Sequence, residues 1–166
     1  PLVLETEGLL SALKVMAQKM KETFQQEVNV NANEDVIDKL EPSKQTVIFY
    51  IAEEAVNNAR KHAQADQIQV SLNFVSIDKR LAVLEIVDNG VGFDLSNVAK
   101  SYENRGSLGL LNLKERTELI NGMLRIDSSP GMRTRVRVYI PLTKEAVELL
   151  QQNKKTKSNL PILIEK

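Results

Sequence analysis

Glu54-Ala55-Val56-Asn57-Asn58-Ala59-Arg60-Lys61-His62 is the stretch whose reading decides the fold. It sits in a segment, 44–63, where Val47, Ile48, Ile51, Ala52, Ala55, Val56 and Ala59 mark one broad apolar helix face. Ser43 precedes it as the expected N-cap. Glu54, Asn58 and Lys61 are spaced by four and three, so on an α-helix they share one side, bordering the apolar face. A carboxylate, an amide and an amine there suit a metal–phosphate unit. The acid can orient a nucleophile, the amide oxygen can ligate Mg2+, and the amine can pair with phosphate. The same spacing also belongs to any solvated helix face.

Downstream, Leu81 to Val87 is apolar except for Glu85, a strand expected to be covered on both faces. Asp88-Asn89-Gly90-Val91-Gly92-Phe93-Asp94 follows directly. A strand-end Asp can accept a hydrogen bond from an exocyclic amine, and Gly90 and Gly92 allow the backbone close to a flat ligand. The competing reading is a hairpin turn at Asn89-Gly90. Residues 93–108 carry little apolar periodicity and read as a lid. Arg105-Gly106-Ser107-Leu108-Gly109 then opens a third helix, with Leu110, Leu113, Thr117 and Ile120 on one face. Glycines before a helix N-terminus expose N–H groups to phosphate, although many loops before helices contain glycine. The segment is neither a Walker A loop nor a Rossmann fingerprint.

The remaining chain frames these clusters. Leu9, Leu13, Met16, Met20 and Phe24 form the stripe of a first helix. Val28 and Val30 alternate with asparagines as a short strand, and Ile68, Val70, Leu72 and Phe74 line one side of another. Asn121-Gly122 ends the third helix, with Gly122 as the expected left-handed cap. Met123–Asp127 and Thr134–Ile140 read as a hairpin across Ser129-Pro130-Gly131, its second strand burying Val136, Val138 and Ile140. Glu145–Gln151 reads as a short helix, and Asn153–Asn159 as a polar linker or tail. The expected class is α/β, an α+β two-layer sandwich: a mixed, mainly antiparallel sheet with about three helices on one face. The expected division is 1–142 as one domain and 143–166 as a C-terminal helix and tail of unknown role.

Composition removes other functions. Lys+Arg and Asp+Glu both number 22 in 166 residues, which disfavours a domain built to grip nucleic acid or an anionic membrane. The absence of cysteine excludes disulfides, thiolate metal sites and thiol nucleophiles. One histidine, His62, leaves no His-rich metal site. No apolar run approaches the roughly 20 residues of a membrane helix, and Pro1-Leu2-Val3-Leu4 lacks a signal peptide's basic start. The chain reads as a cytoplasmic piece of something longer.

In their order, these clusters resemble the Bergerat-type ATP-binding fold shared by gyrase, the heat-shock protein of ninety kilodaltons, histidine kinases and MutL. The likeness is strongest to the catalytic domain of bacterial sensor histidine kinases paired with LuxR/NarL-type response regulators. Ile51–Ala63 is similar to that subgroup's N box, Asp88–Asp94 to its G1 box, and Gly106–Arg116 to its G2 box and following helix. Ser129-Pro130-Gly131-Met132-Arg133-Thr134 stands where a Pro-Gly-x-Gly-Thr motif closes the domain, with Arg133 in place of the usual Gly. The resemblance covers residues 2–142. It implies ATP and Mg2+ as ligands. Asp88 would receive the adenine amine, Gly90 and Gly92 would pack beside the base, and Thr134 would support the adenine end through water. Asn58 would hold Mg2+, and Lys61 and His62 would face the phosphates. Glu54 would orient the phosphoryl acceptor or water. Gly106, Gly109 and Leu110 would form the lid's hinge and phosphate-facing end.

The implied function is donation of the γ-phosphoryl group to a histidine on a dimerisation domain outside this chain. His62 is not that acceptor; it is expected to be a helix residue hydrogen-bonded near the pocket. The response regulator would be met through the intact kinase. No nucleic acid or direct membrane contact is expected. An anti-sigma-type serine kinase and a non-catalytic nucleotide-sensing module of the same fold are the alternatives.

Overall fold

A computed structural model describes residues 1–94 and 108–156. A short helix α1 (Leu2–Glu7) leads into α2 (Leu9–Phe24), which buries Leu9, Leu13, Met16 and Met20 as the stripe requires. Phe24 does not join them. It is 45% exposed, and the Arg60 guanidinium stacks 3.7 Å over its ring. Strand β1 (Glu27–Ala32) and a one-turn helix α3 (Glu34–Ile37), capped by the Asn33 side chain, lead to α4 (Pro42–Asn58). Ser43 is not the cap of α4. Glu41 holds that position without a side-chain bond, and Pro42 starts the helix, where its missing N–H costs nothing.

The helix does not continue as α-helix to residue 63. It passes at Ala59–Ala63 into a π turn, left through Gln64 at φ 52°. Strands β2 (Gln67–Val75) and β3 (Asp78–Asp88), helix α5 (Leu108–Leu119), strands β4 (Met123–Asp127) and β5 (Arg135–Pro141), and helix α6 (Lys144–Thr156) follow. The left-handed residue after α5 is Asn121 at φ 55°, not Gly122. Asn tolerates that conformation. Gly122 is needed for closeness, since a Cβ there would lie 2.8 Å from the Tyr139 carbonyl oxygen.

The five strands order as β1-β2-β3-β5-β4. β1 is parallel to β2, and the other pairs are antiparallel, which is the mixed, mainly antiparallel sheet expected. Register explains the layers. Val136, Val138 and Ile140 of β5 pair with Ile86, Leu84 and Ala82 of β3, and these join Ile68, Val70 and Leu72 in one core under α2, α4 and α5.

Three helices cover one face as expected, and the C-terminal helix α6 adds a second layer on the other. Its Ala146 and Leu150 form a second cluster with Val75, Leu81 and Tyr139, side chains that point away from the main core. Strand β3 is consequently covered on both faces only at its Leu81 end; Val83, Glu85 and Val87 are half-buried. The helix also outruns its expected end, taking in Asn153–Thr156, while the rest of the tail lies outside the described residues. Thr143 caps it, its hydroxyl accepting from the Ala146 N–H at 3.1 Å. Leu150→Ala should remove the anchor of this second layer. Leu150 is 1% exposed, so a loss of about 2–4 kcal/mol is expected in urea denaturation. A loss under about 0.5 kcal/mol would show that α6 contributes nothing to folding.

Candidate nucleotide site

The site begins with a carboxylate placed where water hardly reaches it. Asp88 ends β3 and is 3% exposed. Its Oδ1 accepts the Gly90 N–H at 2.8 Å, and its own N–H donates to the Thr134 carbonyl at 3.0 Å. Burial pushes the carboxyl up from its ordinary value of 3.8, against the lowering pull of N–H groups from Gly90 and Thr134. No cation among the described residues offsets that charge. A buried carboxylate whose only partners are backbone amides retains accepting capacity for a donor on a ligand.

The loop after it is not a hairpin turn. Asn89 instead anchors it to the start of β2, its Oδ1 accepting from the Asp66 N–H at 2.9 Å and the Gln67 N–H at 3.0 Å. Val91 N–H donates to the Ala63 carbonyl at 2.8 Å, and a Cβ on Gly90 would strike that same carbonyl oxygen. Gly92 has φ 67°, and a Cβ there would strike the carbonyl oxygens of Ser129 and Met132. The 88–92 loop is thus wedged between the π turn and the β4–β5 loop. Both glycines are required by that close approach.

The second half of the site lies where α5 meets α4. Glu54 and Asn58 are half-buried on successive turns. Gly109, in the first turn of α5, presses on both. A Cβ there would lie 2.8 Å from the Asn58 amide atoms and 2.9 Å from Glu54 Oε1. Seven residues on, the Arg116 guanidinium reaches back to α4. It donates to the Tyr50 carbonyl at 3.2 Å, lies 5.6 Å from the Tyr50 ring centre, and stands 3.9 Å from Glu54 Oε2. Leu110 is half-buried against the main core.

Lys61 departs from the expected face. The four-and-three spacing presumes an α-helix through residue 61, but Lys61 lies in the π turn, whose wider i→i+5 ring shifts its direction from that of Glu54 and Asn58. Lys61 and His62 are both exposed. The His62 side chain makes no hydrogen bond among the described residues, contrary to the expectation of a bonded histidine. Thr134 is 6% exposed beside Asp88, and Arg133 before it is exposed. Gly106 and the rest of the lid from 95 to 107 lie outside the described residues.

Two contributors are not singled out by sequence reasoning. Arg116 enters there only as the end of a motif. Ser128 does not enter at all: its hydroxyl accepts the Phe93 N–H at 3.0 Å and lies 2.8 Å from the Thr134 hydroxyl. Nothing in the run Asp127-Ser128-Ser129 distinguishes it from turn serines.

A strand-end acid and a helical acid–amide pair, joined through glycines on a mixed sheet, make an ATPase domain outside the Walker and Rossmann classes. The family described as histidine kinase-, DNA gyrase B-, and HSP90-like ATPase matches residues 43–144, and the chain belongs to it. The chain is 40% identical over 144 residues to an uncharacterized sensor-like histidine kinase of Chloroflexus aurantiacus, covering 86% of this chain and 24% of that protein. It is 36% identical over 146 residues to the signal transduction histidine-protein kinase/phosphatase DegS of Bacillus subtilis, covering 86% of this chain and 36% of that one. Among solved structures, the histidine kinase domain of the Erythrobacter litoralis EL346 blue-light activated kinase superposes with a TM-score of 0.65 at 21% identity. That match covers 86% of this chain and 68% of the other, and shows the shared fold. The chain thus spans about a quarter to a third of the length of these two curated relatives.

Proposed function

We propose that this chain is the catalytic, ATP–Mg2+-binding part of a cytoplasmic two-component sensor kinase. The γ-phosphoryl group would pass to a histidine on a dimerisation domain outside the chain, and from there to a LuxR/NarL-type response regulator. The observation that carries the reading is the buried Asp88 carboxylate, held by amides alone and walled by Gly90 and Gly92. It offers an acceptor to the exocyclic amine of adenine from a loop that the two glycines seat against Ala63 and the β4–β5 loop. At the other end, Asn58 supplies the amide oxygen for Mg2+. Among the described residues no three His, Cys, Asp or Glu side chains cluster for a metal. That suits Mg2+ held chiefly by phosphate oxygens and water, with few protein ligands.

Bound Mg2+ would neutralise charge on the transferring phosphoryl group. The protein's own share is positional. Glu54 orients the attacking group, and Arg116 keeps the Glu54 carboxylate beside Tyr50. Gly109 brings the α5 N-terminal turn over Asn58, so its N–H groups face the phosphates. Lys61, exposed on the π turn, adds positive charge from solvent with His62 beside it facing the phosphates; Leu110 seats the turn that carries Gly109. Thr134 backs the adenine end. Gly106 completes the phosphate-facing end as the resemblance implies.

The test is the parent kinase with γ-labelled ATP. Label in an acid-labile, base-stable phosphohistidine is the expected result. Acid-stable label would favour the serine-kinase reading, and binding without transfer the sensing module. In the same protein Glu54→Gln should leave ADP affinity within about twofold and slow phosphorylation by about a hundredfold. A variant as fast as wild type would remove Glu54 from the reaction.

A further inference from the structure

The Ser128 hydroxyl joins three separate pieces of the site. Its oxygen accepts the Phe93 N–H at 3.0 Å, which fixes the end of the 88–94 loop. It lies 2.8 Å from Thr134 Oγ1, and Thr134 in turn accepts the Asp88 N–H on its backbone carbonyl at 3.0 Å. Either hydroxyl could donate to the other on distance alone. Phe93 breaks that symmetry. With one of its lone pairs engaged by an N–H, the Ser128 hydroxyl is polarised to donate onward, because chained hydrogen bonds reinforce one another when they run in one sense. Ser128 then donates to Thr134 Oγ1, and the proton of Thr134 is left free to point out of the pair.

We infer that Ser128 is a positioning residue for base specificity: it sets the Thr134 hydroxyl as a donor beside the Asp88 acceptor, which selects adenine over 6-oxopurines. The inference rests on the nucleotide reading of the Asp88 pocket. Adenine presents a donor at its exocyclic amine and an acceptor at the adjacent ring nitrogen. An acceptor–donor pair on the protein matches it. Hypoxanthine and guanine present the reverse, an oxygen acceptor and a ring N–H donor, and meet a mismatch at both positions. A buried mismatch is costly because both partners lose water without gaining a bond. Without the Ser128 hydroxyl, Thr134 can rotate and accept as readily as donate. The Phe93 N–H also loses its partner.

Calorimetric titration of the chain with Mg2+–ADP and Mg2+–IDP tests this. Ser128→Ala should weaken ADP about five- to tenfold and leave IDP within about twofold, so that discrimination narrows. Ser128→Thr should restore most of the ADP affinity. Amide exchange at Phe93 should accelerate about tenfold in Ser128→Ala and return to the wild-type rate in Ser128→Thr. Equal weakening of both nucleotides would mark Ser128 as merely structural and overturn the inference, as would unchanged ADP affinity. If wild type bound neither nucleotide, the pocket reading itself would fall, and that result is distinct from narrowed discrimination.

Discussion

Asp88→Asn should lower ADP affinity by about a hundredfold and at the same time make the chain harder to unfold at neutral pH. The first effect follows from replacing a charged acceptor. Hydrogen bonds to charged groups contribute about 1.5–3 kcal/mol, roughly a ten- to 150-fold change in binding. The Asn amide group can also turn N–H donors toward the adenine amine. The second effect follows from burial. The folded Asp88 carboxyl titrates above its ordinary value of 3.8, chiefly because it is buried. Between the unfolded and folded values the folded chain holds the proton more tightly. The contribution of Asp88 to stability is therefore fully present below 3.8 and is lost as pH rises through the folded value. An asparagine side chain has the same shape, can still accept from Gly90, and does not titrate. The stability advantage of Asp88→Asn over wild type should be small near pH 4, widen as pH rises through the folded value, and level off above it. Urea denaturation across that range measures it. A difference that did not grow with pH, or ADP binding within about threefold of wild type, would contradict the role given to this carboxylate.

Gly92→Ala should be the most damaging single methyl in the described chain. Two penalties coincide there. At φ 67° an L-residue is strained by roughly 1–2 kcal/mol. The added Cβ would also strike two carbonyl oxygens, of Ser129 and Met132, which belong to a neighbouring backbone and cannot swing aside as a side chain would. A total near 3 kcal/mol or more corresponds to a fall in Tm of roughly 6–12 °C for a domain of this size. Gly131→Ala is the internal control. Gly131 has φ 77° but nothing within 4 Å of its Cβ position, so it carries only the first penalty. It should lose roughly 2–8 °C and keep ADP binding. Gly92→Ala should lose binding too, because relieving the contact moves the loop that sets Asp88. Equal Tm losses in the two variants would mean that the wedge at Gly92 supports nothing.

Much of this architecture is legible in the sequence because the relevant signals are periodic or positional. The stripes of α2 and α4, and the alternation of β2, follow from one face needing burial, which the structure repeats at Leu9, Leu13, Met16 and Met20, at Ile48, Ile51, Ala52, Ala55 and Val56, and at Ile68, Val70 and Leu72. Asp88 is legible because a charged residue closing an apolar strand has few bland explanations. The failures share a cause in tertiary contact. Phe24 fits the stripe by spacing, yet it is the last residue of its helix, and Arg60 rather than the core meets its ring. Lys61 fits the Glu54 face only if every turn is α, and no local residue announces a π turn. Helix α6 has an amphipathic pattern, but pattern alone does not say which side of a sheet will receive it. Ser128 is one hydroxyl in a turn, and its partner at 93 is distant in sequence.

The single parallel pairing also dictates an order of assembly. β2 and β3 are joined through Ser76 and Ile77 and can zip as a local hairpin on a microsecond scale. β1 can take its place beside β2 only after the chain from Asn33 to Asp66 has crossed over, carrying α3, α4 and the π turn. Closing so long an excursion costs entropy before any β1 contact repays it. β5 meets β3 only after the still longer excursion from Asn89 to Thr134, so both flanks of the sheet wait on long-range closure while the β2–β3 hairpin at its centre forms locally.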